Sequence, residues 1–150
     1  MKEPKNIYDL AFKFGRATQE AAIAAARKMG FGDKELADDH AVKAFRKYLN
    51  SLPVDGKVVI GEGERDEAPM LYIGEKFGSG SLQVEMAVDP LENTNATAYG
   101  RNDAMAVAAI APKNGLFHAP DMYMEKLAVS EAAADHVSLD FPVEKNLKNI

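Results

Sequence analysis

The chain has no cysteine. That excludes a disulfide framework, a thiolate zinc centre and a cysteine nucleophile. It also lacks any basic run, and its formal net charge is -5. A duplex-binding surface needs clustered Lys and Arg to neutralise phosphates, so no nucleic-acid partner is expected. Long apolar stretches are missing too. The most apolar early run, Ala21 to Ala26, is short and is followed at once by Arg27 and Lys28. Met1 to Lys5 is charged and leads into no apolar core of a signal peptide. The reading is therefore no membrane segment and a cytoplasmic location.

What remains is ordinary globular composition. Hydrophobic residues make up 47% of the 150-residue chain and charged residues 27%. That suffices for one domain with one core. Ile7, Leu10, Phe14, Ala17, Ala21, Ala24 and Ala25 recur at helical spacing. They predict a first helix of roughly six turns, with Asn6 as cap and Gly30 as stop. Ala41, Val42, Phe45 and Leu49 mark a second helix, with Asp33, Asp38 and Asp39 in capping range.

The remainder reads mostly as strands. Lys57 to Ile60 is a short β-branched run, and Leu82, Val84, Met86 and Val88 alternate with less apolar residues. Ala104 to Ala111 is apolar throughout, and Pro112 to Gly115 reads as a hairpin turn leading to a strand at Leu116 to His118. Leu127 to Val129 and Val137 to Leu139 are weaker strand candidates. Met70 to Phe77 is expected as a short helix, Gly78 to Ser81 as a plain turn, and the last residues as a helix after Pro142. There is no internal repeat and no linker. The expected class is α+β, two long helices packed on a largely antiparallel sheet.

Two loops, each following a strand, carry the chemistry. Gly61-Glu62-Gly63-Glu64-Arg65-Asp66-Glu67 places four carboxylates within six residues. A solvated acidic loop is one reading of it, and glycines that aim chosen carboxylates inward are the other. A dinucleotide loop is rejected. Asp66 stands where the third glycine belongs, and the carboxylates oppose a pyrophosphate. Asp89-Pro90-Leu91-Glu92-Asn93-Thr94-Asn95 is the second loop, with Glu92 three residues from Asp89 and both able to reach one ion. An Asx-type turn with a polar tip stays open beside that reading. His40, His118 and His136 have no paired spacing. All-oxygen donors favour Mg²⁺, Mn²⁺ or Ca²⁺. Two facing carboxylate loops suit a pair of ions about 3.5–4 Å apart, a clamp for phosphate-ester hydrolysis. No Gly-x-Ser-x-Gly elbow is present, so a serine hydrolase has no support.

Four segments resemble class II fructose-1,6-bisphosphatases. They are Val58 to Glu75, Ala87 to Thr94, Ala119 to Leu127, and Gly32-Asp33-Lys34 with Ala37-Asp38. The resemblance runs across nearly the whole chain in the family's order, and Asn95 to Gly100 leans towards the cyanobacterial type, which also acts on sedoheptulose 1,7-bisphosphate. It implies the layered fold of the lithium-sensitive sugar and inositol phosphatases. It implies Mg²⁺- or Mn²⁺-dependent removal of the 1-phosphate from fructose 1,6-bisphosphate, in gluconeogenesis.

Carried over by position, the resemblance implies that Asp38 and Glu62 bind one metal, while Asp89 and Glu92 bind a second or bridge the pair. Thr94 orients the attacking water, Asp66 accepts a proton and Lys34 supports the site or the phosphate. Glu92, Asn93 and Thr94 line the phosphate, and Tyr123 contacts the substrate. A homo-oligomer is implied. The chain departs from the pattern at Asn93, where the family has glycine, and in length, since the family continues for roughly as many residues again. It therefore reads as an amino-terminal, metal-binding half. A phosphatase for another sugar or inositol phosphate, and a catalytically silent half-domain, are the alternatives.

Overall fold

The computed structural model describes residues 7–62, 71–118 and 123–150. A 3-10 turn, Ile7–Leu10, leads into helix α1, Ala11–Ala26. The expected six-turn helix is thus shorter and begins as a tighter turn, and Asn6 lies outside the described residues. Phe14, Ala17, Ala21 and Ala25 form its buried face. Three of those four are alanine, so helix α2, Lys34–Leu49, approaches closely and meets them with Ala37 and Ala41. Asp33 caps α2, its carboxylate accepting from the Leu36 N–H at 2.9 Å.

The strands are β1, Asp55–Ile60; β2, Lys76–Phe77; β3, Gln83–Glu92; and β4, Met105–Pro112. They form one sheet in the order β2-β1-β3-β4. β1 runs antiparallel to β2 and parallel to β3, while β3 and β4 are antiparallel. The sheet is mixed and mostly antiparallel, as the class assignment requires. Its alternation places Val84, Met86 and Val88 of β3 with Val58 of β1 against the two helices. Phe45, Leu49 and Leu52 complete a core with no exposed surface at those positions. Phe14 of α1 meets Phe77 of β2 edge to face, with centroids 6.1 Å apart. Gly56 makes that contact possible, because a Cβ there would lie 2.2 Å from the Phe77 ring. Glu85, Ala87 and Asp89, with Val107, Ala109 and Ala111 beside them in register, line the opposite face.

Several expectations need correction. Residues 71–77 turn and then form β2 instead of a helix. Gly74, at φ 93°, breaks any helical run, and the segment bonds to β1 through Gly74 N–H to Val58 O and Val58 N–H to Glu75 O. Leu116 to His118 form no strand, because the Leu116 N–H is turned to the Glu85 carboxylate. Leu127–Val129 lies exposed without a ladder partner among the described residues. Ser138 instead bonds Asn146, which docks the last helix, α4, Val143–Asn149. Two short helical elements went unforeseen, the five-residue α3, Thr94–Ala98, and a 3-10 turn at Glu131–His136. Among the described residues no helix is long and apolar enough to cross a membrane.

Candidate active site

Three elements meet at one open cleft of about 310 Å³, lined by Lys34, Glu35, Asp38, Glu62 and Thr94. Lys34 and Asp38 sit one turn apart on the first turns of α2 and so share a face. Glu62 follows the end of β1. Gly61 sets its position, since a Cβ there would lie 2.2 Å from the Leu71 carbonyl oxygen and 2.8 Å from a Val58 methyl. The Glu62 N–H donates to that same carbonyl at 3.1 Å, closing the base of the acidic loop. Thr94 opens α3.

The second carboxylate pair lies at the end of β3. Asp89 Oδ1 accepts from the Leu91 N–H at 3.0 Å, an Asx-type turn. The Asp89 carboxyl also hydrogen-bonds Glu92. That bond, together with the negative charge of Asp89 and some desolvation, raises the Glu92 carboxyl above its ordinary value. Strand alternation puts Asp89 on the sheet face away from the helices, and the β3–β4 pairing shifts register only after it, between Asp89 and Glu92.

The structure thus gathers Lys34, Asp38, Glu62 and Thr94 into the cleft and pairs Asp89 with Glu92 at the end of β3. Among the described residues it does not merge the two sets into a cluster of three or more metal-ligating side chains. Tyr123 is fully exposed. Asp66 lies outside the described residues. Glu35 joins the cleft without having been singled out. Its only sequence signal was its place in the first turn of a helix, where an acid is commonplace.

The cleft's chemistry fits a hard divalent cation. Its donors are carboxylate and hydroxyl oxygens, and one or two carboxylates completed by water and substrate phosphate is a usual Mg²⁺ arrangement. Asp38 Oδ1 is buried and has no hydrogen-bond partner among the described residues. Burial, and then the charge of Asp39, push the Asp38 carboxyl above its ordinary value. A buried oxygen with no donor is costly unless something else supplies positive charge.

Comparison with known proteins follows the same line. A family model described as bacterial fructose-1,6-bisphosphatase, glpX-encoded, matches residues 8–150. The chain belongs to that family. It is 49% identical over 154 residues to a protein named D-fructose 1,6-bisphosphatase class 2/sedoheptulose 1,7-bisphosphatase from Synechococcus sp. (strain JA-2-3B'a(2-13)), covering 94% of this chain and 44% of the relative. It is 51% identical to a fructose-1,6-bisphosphatase class 2 from Haemophilus influenzae, over 94% of this chain and 43% of the relative. With fructose-1,6-bisphosphatase 1 class 2 of Escherichia coli K12 the identity is 50%, over 95% and 43%. The chain therefore spans less than half the length of these curated relatives. The relative named for two sugars and those named for one are equally similar, so identity does not separate the cyanobacterial subtype from the others.

Asn93 adopts the left-handed conformation, with φ 65° and ψ 57°. Its side chain folds back onto its own loop. Oδ1 accepts from the Ala96 N–H at 3.3 Å, and Nδ2 donates to the Asp103 carbonyl at 3.2 Å. Asparagine is among the residues that tolerate a left-handed backbone best.

Proposed function

We propose that this chain supplies the amino-terminal, metal-binding part of a divalent-metal-dependent sugar bisphosphatase that releases the 1-phosphate of fructose 1,6-bisphosphate. Sedoheptulose 1,7-bisphosphate is the second candidate substrate. The observation that carries the reading is the convergence of Lys34, Asp38, Glu62 and Thr94, from three separate elements, on one cleft. Asp38 and Glu62 would hold one Mg²⁺ or Mn²⁺, and Asp89 with Glu92 a second. When bound, such ions offset the acidic cleft's repulsion of a phosphate and make water a better nucleophile.

The protein's own groups then divide the remaining work. The Lys34 ammonium attracts the phosphate as a point charge at the cleft wall. The Thr94 hydroxyl, fixed at the start of α3, accepts from the attacking water and orients it. Asp66 takes the proton, and Tyr123 contacts the sugar. Glu92, Asn93 and Thr94 line the phosphate. The protein is taken as cytoplasmic and self-associating, with no nucleic-acid or membrane partner.

Mn²⁺ titration calorimetry tests the core of this reading, because it does not require a complete sugar site. The chain should bind Mn²⁺, and Asp38→Asn and Glu62→Gln should each lower the binding stoichiometry by the cleft ion. Native stoichiometry and affinity in both variants would overturn the cleft assignment. A panel of fructose, sedoheptulose and inositol phosphates, assayed for phosphate release with Mn²⁺, identifies the substrate.

A further inference from the structure

The β3–β4 connection, residues 93–104, has a neck and a body. The ladder ends at the pair Glu92–Met105. Just beyond it the Asn93 Nδ2 donates to the Asp103 carbonyl at 3.2 Å, so a side chain adds one further rung. Both partners hold positive φ, 65° at Asn93 and 73° at Asp103. Non-glycine residues seldom adopt that conformation unless their surroundings hold them there. The body of the connection is α3. Its first amide with a side-chain partner, that of Ala96, is held by the same carboxamide.

α3 in turn holds the turn between α1 and α2. The Gly30 N–H donates to Thr97 O at 3.0 Å, and the Gly32 N–H to Ala98 O at 2.8 Å. Two residues after Gly32 comes Lys34, and one turn later Asp38. Thr94 at one end of α3 and the Thr97 and Ala98 carbonyls at the other thus set both walls of the cleft.

We propose that Asn93 is a positioning residue. Its carboxamide closes the neck of the β3–β4 connection and fixes α3, and α3 aligns Thr94 with Lys34 and Asp38. A glycine at this place would keep the left-handed turn but leave the neck without its rung. The consequence for metal binding rests on the cleft reading above; the consequence for the fold does not.

Asn93→Gly separates the carboxamide from the backbone. Glycine accepts positive φ without strain and is a tolerated cap, so the unfolding midpoint should change little. Mn²⁺ affinity should fall about tenfold, as for loss of other groups that orient metal ligands. Amide exchange followed by NMR should speed up at Ala96 and also at the remote Gly30 and Gly32. Asn93→Ala adds backbone strain and should show the same changes with a lowered midpoint. Wild-type Mn²⁺ affinity in Asn93→Gly, with unchanged exchange at Gly30 and Gly32, would overturn the proposal and leave Asn93 a local cap. If the unaltered chain binds no Mn²⁺, the cleft reading fails, and exchange at Gly30 and Gly32 alone decides the role of Asn93.

Discussion

Arg46 and Glu75 offer a measurable link between the helices and the sheet edge. Arg46 lies in the last turn of α2, and Glu75 directly precedes β2. Arg46 Nε reaches Glu75 Oε1 at 2.7 Å and an Nη reaches Oε2 at 3.0 Å, a two-pronged contact. The Glu75 side chain is 10% exposed and that of Arg46 28%. Breaking a fully buried pair by removing one partner costs about 3–5 kcal/mol, while an exposed pair is worth about 0–1 kcal/mol. Arg46 keeps access to water once Glu75 is gone, so Glu75→Ala should cost about 2–3 kcal/mol, between those limits. With a urea slope near 2 kcal/mol/M, the midpoint should fall by about 1–1.5 M. The double cycle with Arg46→Ala should give a coupling of about 1.5 kcal/mol or more, since the second removal costs less once the partner is gone. Circular dichroism in urea measures all four proteins. Salt screens exposed charges strongly, so the coupling should persist at 0.5 M salt, roughly a Debye length of 4 Å. A coupling under about 0.5 kcal/mol would show that the pair behaves as a surface contact and would refute the reasoning.

Gly61→Ala should cost about 1–3 kcal/mol or more, as overpacking does, because its Cβ meets backbone at Leu71 and not a flexible side chain; urea denaturation reads the cost, and Mn²⁺ calorimetry should show weakened binding as Glu62 is displaced. Stability should also depend on pH through Glu85. Burial pushes its carboxyl up, but bonds from the Asn114 and Leu116 N–H groups and the His118 side chain prevail and hold it below its ordinary value of 4.5. The ionised form is therefore favoured by folding. Its contribution is present above pH 4.5 and is lost as pH falls through the lower folded value. Thermal melts between neutral and acid pH should show that loss, and Glu85→Gln should reduce the slope. Asp38 has the opposite sign, because its raised carboxyl favours the protonated form in the folded state and loses stability as pH rises through the window above its ordinary value. Asp38→Asn should accordingly melt at or above the native temperature at neutral pH while losing Mn²⁺; a clear drop in melting temperature would refute the assignment of strain to this carboxylate.

Much of this architecture was legible because burial imposes a period. Phe14, Ala17, Ala21 and Ala25 repeat at helical spacing because one face of α1 meets α2. Val84, Met86 and Val88 alternate because one face of β3 meets the helices. α3 was not legible, since five residues are too few to show a period and its support comes from Asn93 and from Gly30 and Gly32 far away in sequence. The run Leu71-Tyr72-Ile73 is apolar enough for a helix, yet Gly74 and the exchange of hydrogen bonds with Val58 turn it onto the sheet. Leu116 looks like the start of a returning strand, but one carboxylate, Glu85, takes its amide. At the site, Lys34 and Asp38 could be paired from spacing alone. Their meeting with Glu62 and Thr94 depends on tertiary contacts that leave no trace in composition.

The contacts that aim the cleft's side chains lie outside the cleft. Asp33 caps the helix that carries Lys34 and Asp38. The close approach of Gly61 to Leu71 sets Glu62, and Asn93 with Asp103 sets the helix that carries Thr94. These contacts are backbone bonds and caps, which favour the fold whether or not the cleft is filled. The cleft groups work against folding, since among the described residues Asp38 has a buried oxygen without a donor and feels the charge of Asp39. Stability and binding are thus assigned to different residues. Changes at the carboxylates should remove binding without unfolding the chain, whereas changes at Gly61 should do both. That separation follows wherever a site concentrates like charge: the scaffold must fix the charged groups through contacts that do not depend on them, and the repulsion among them is the reserve that a cation relieves on binding.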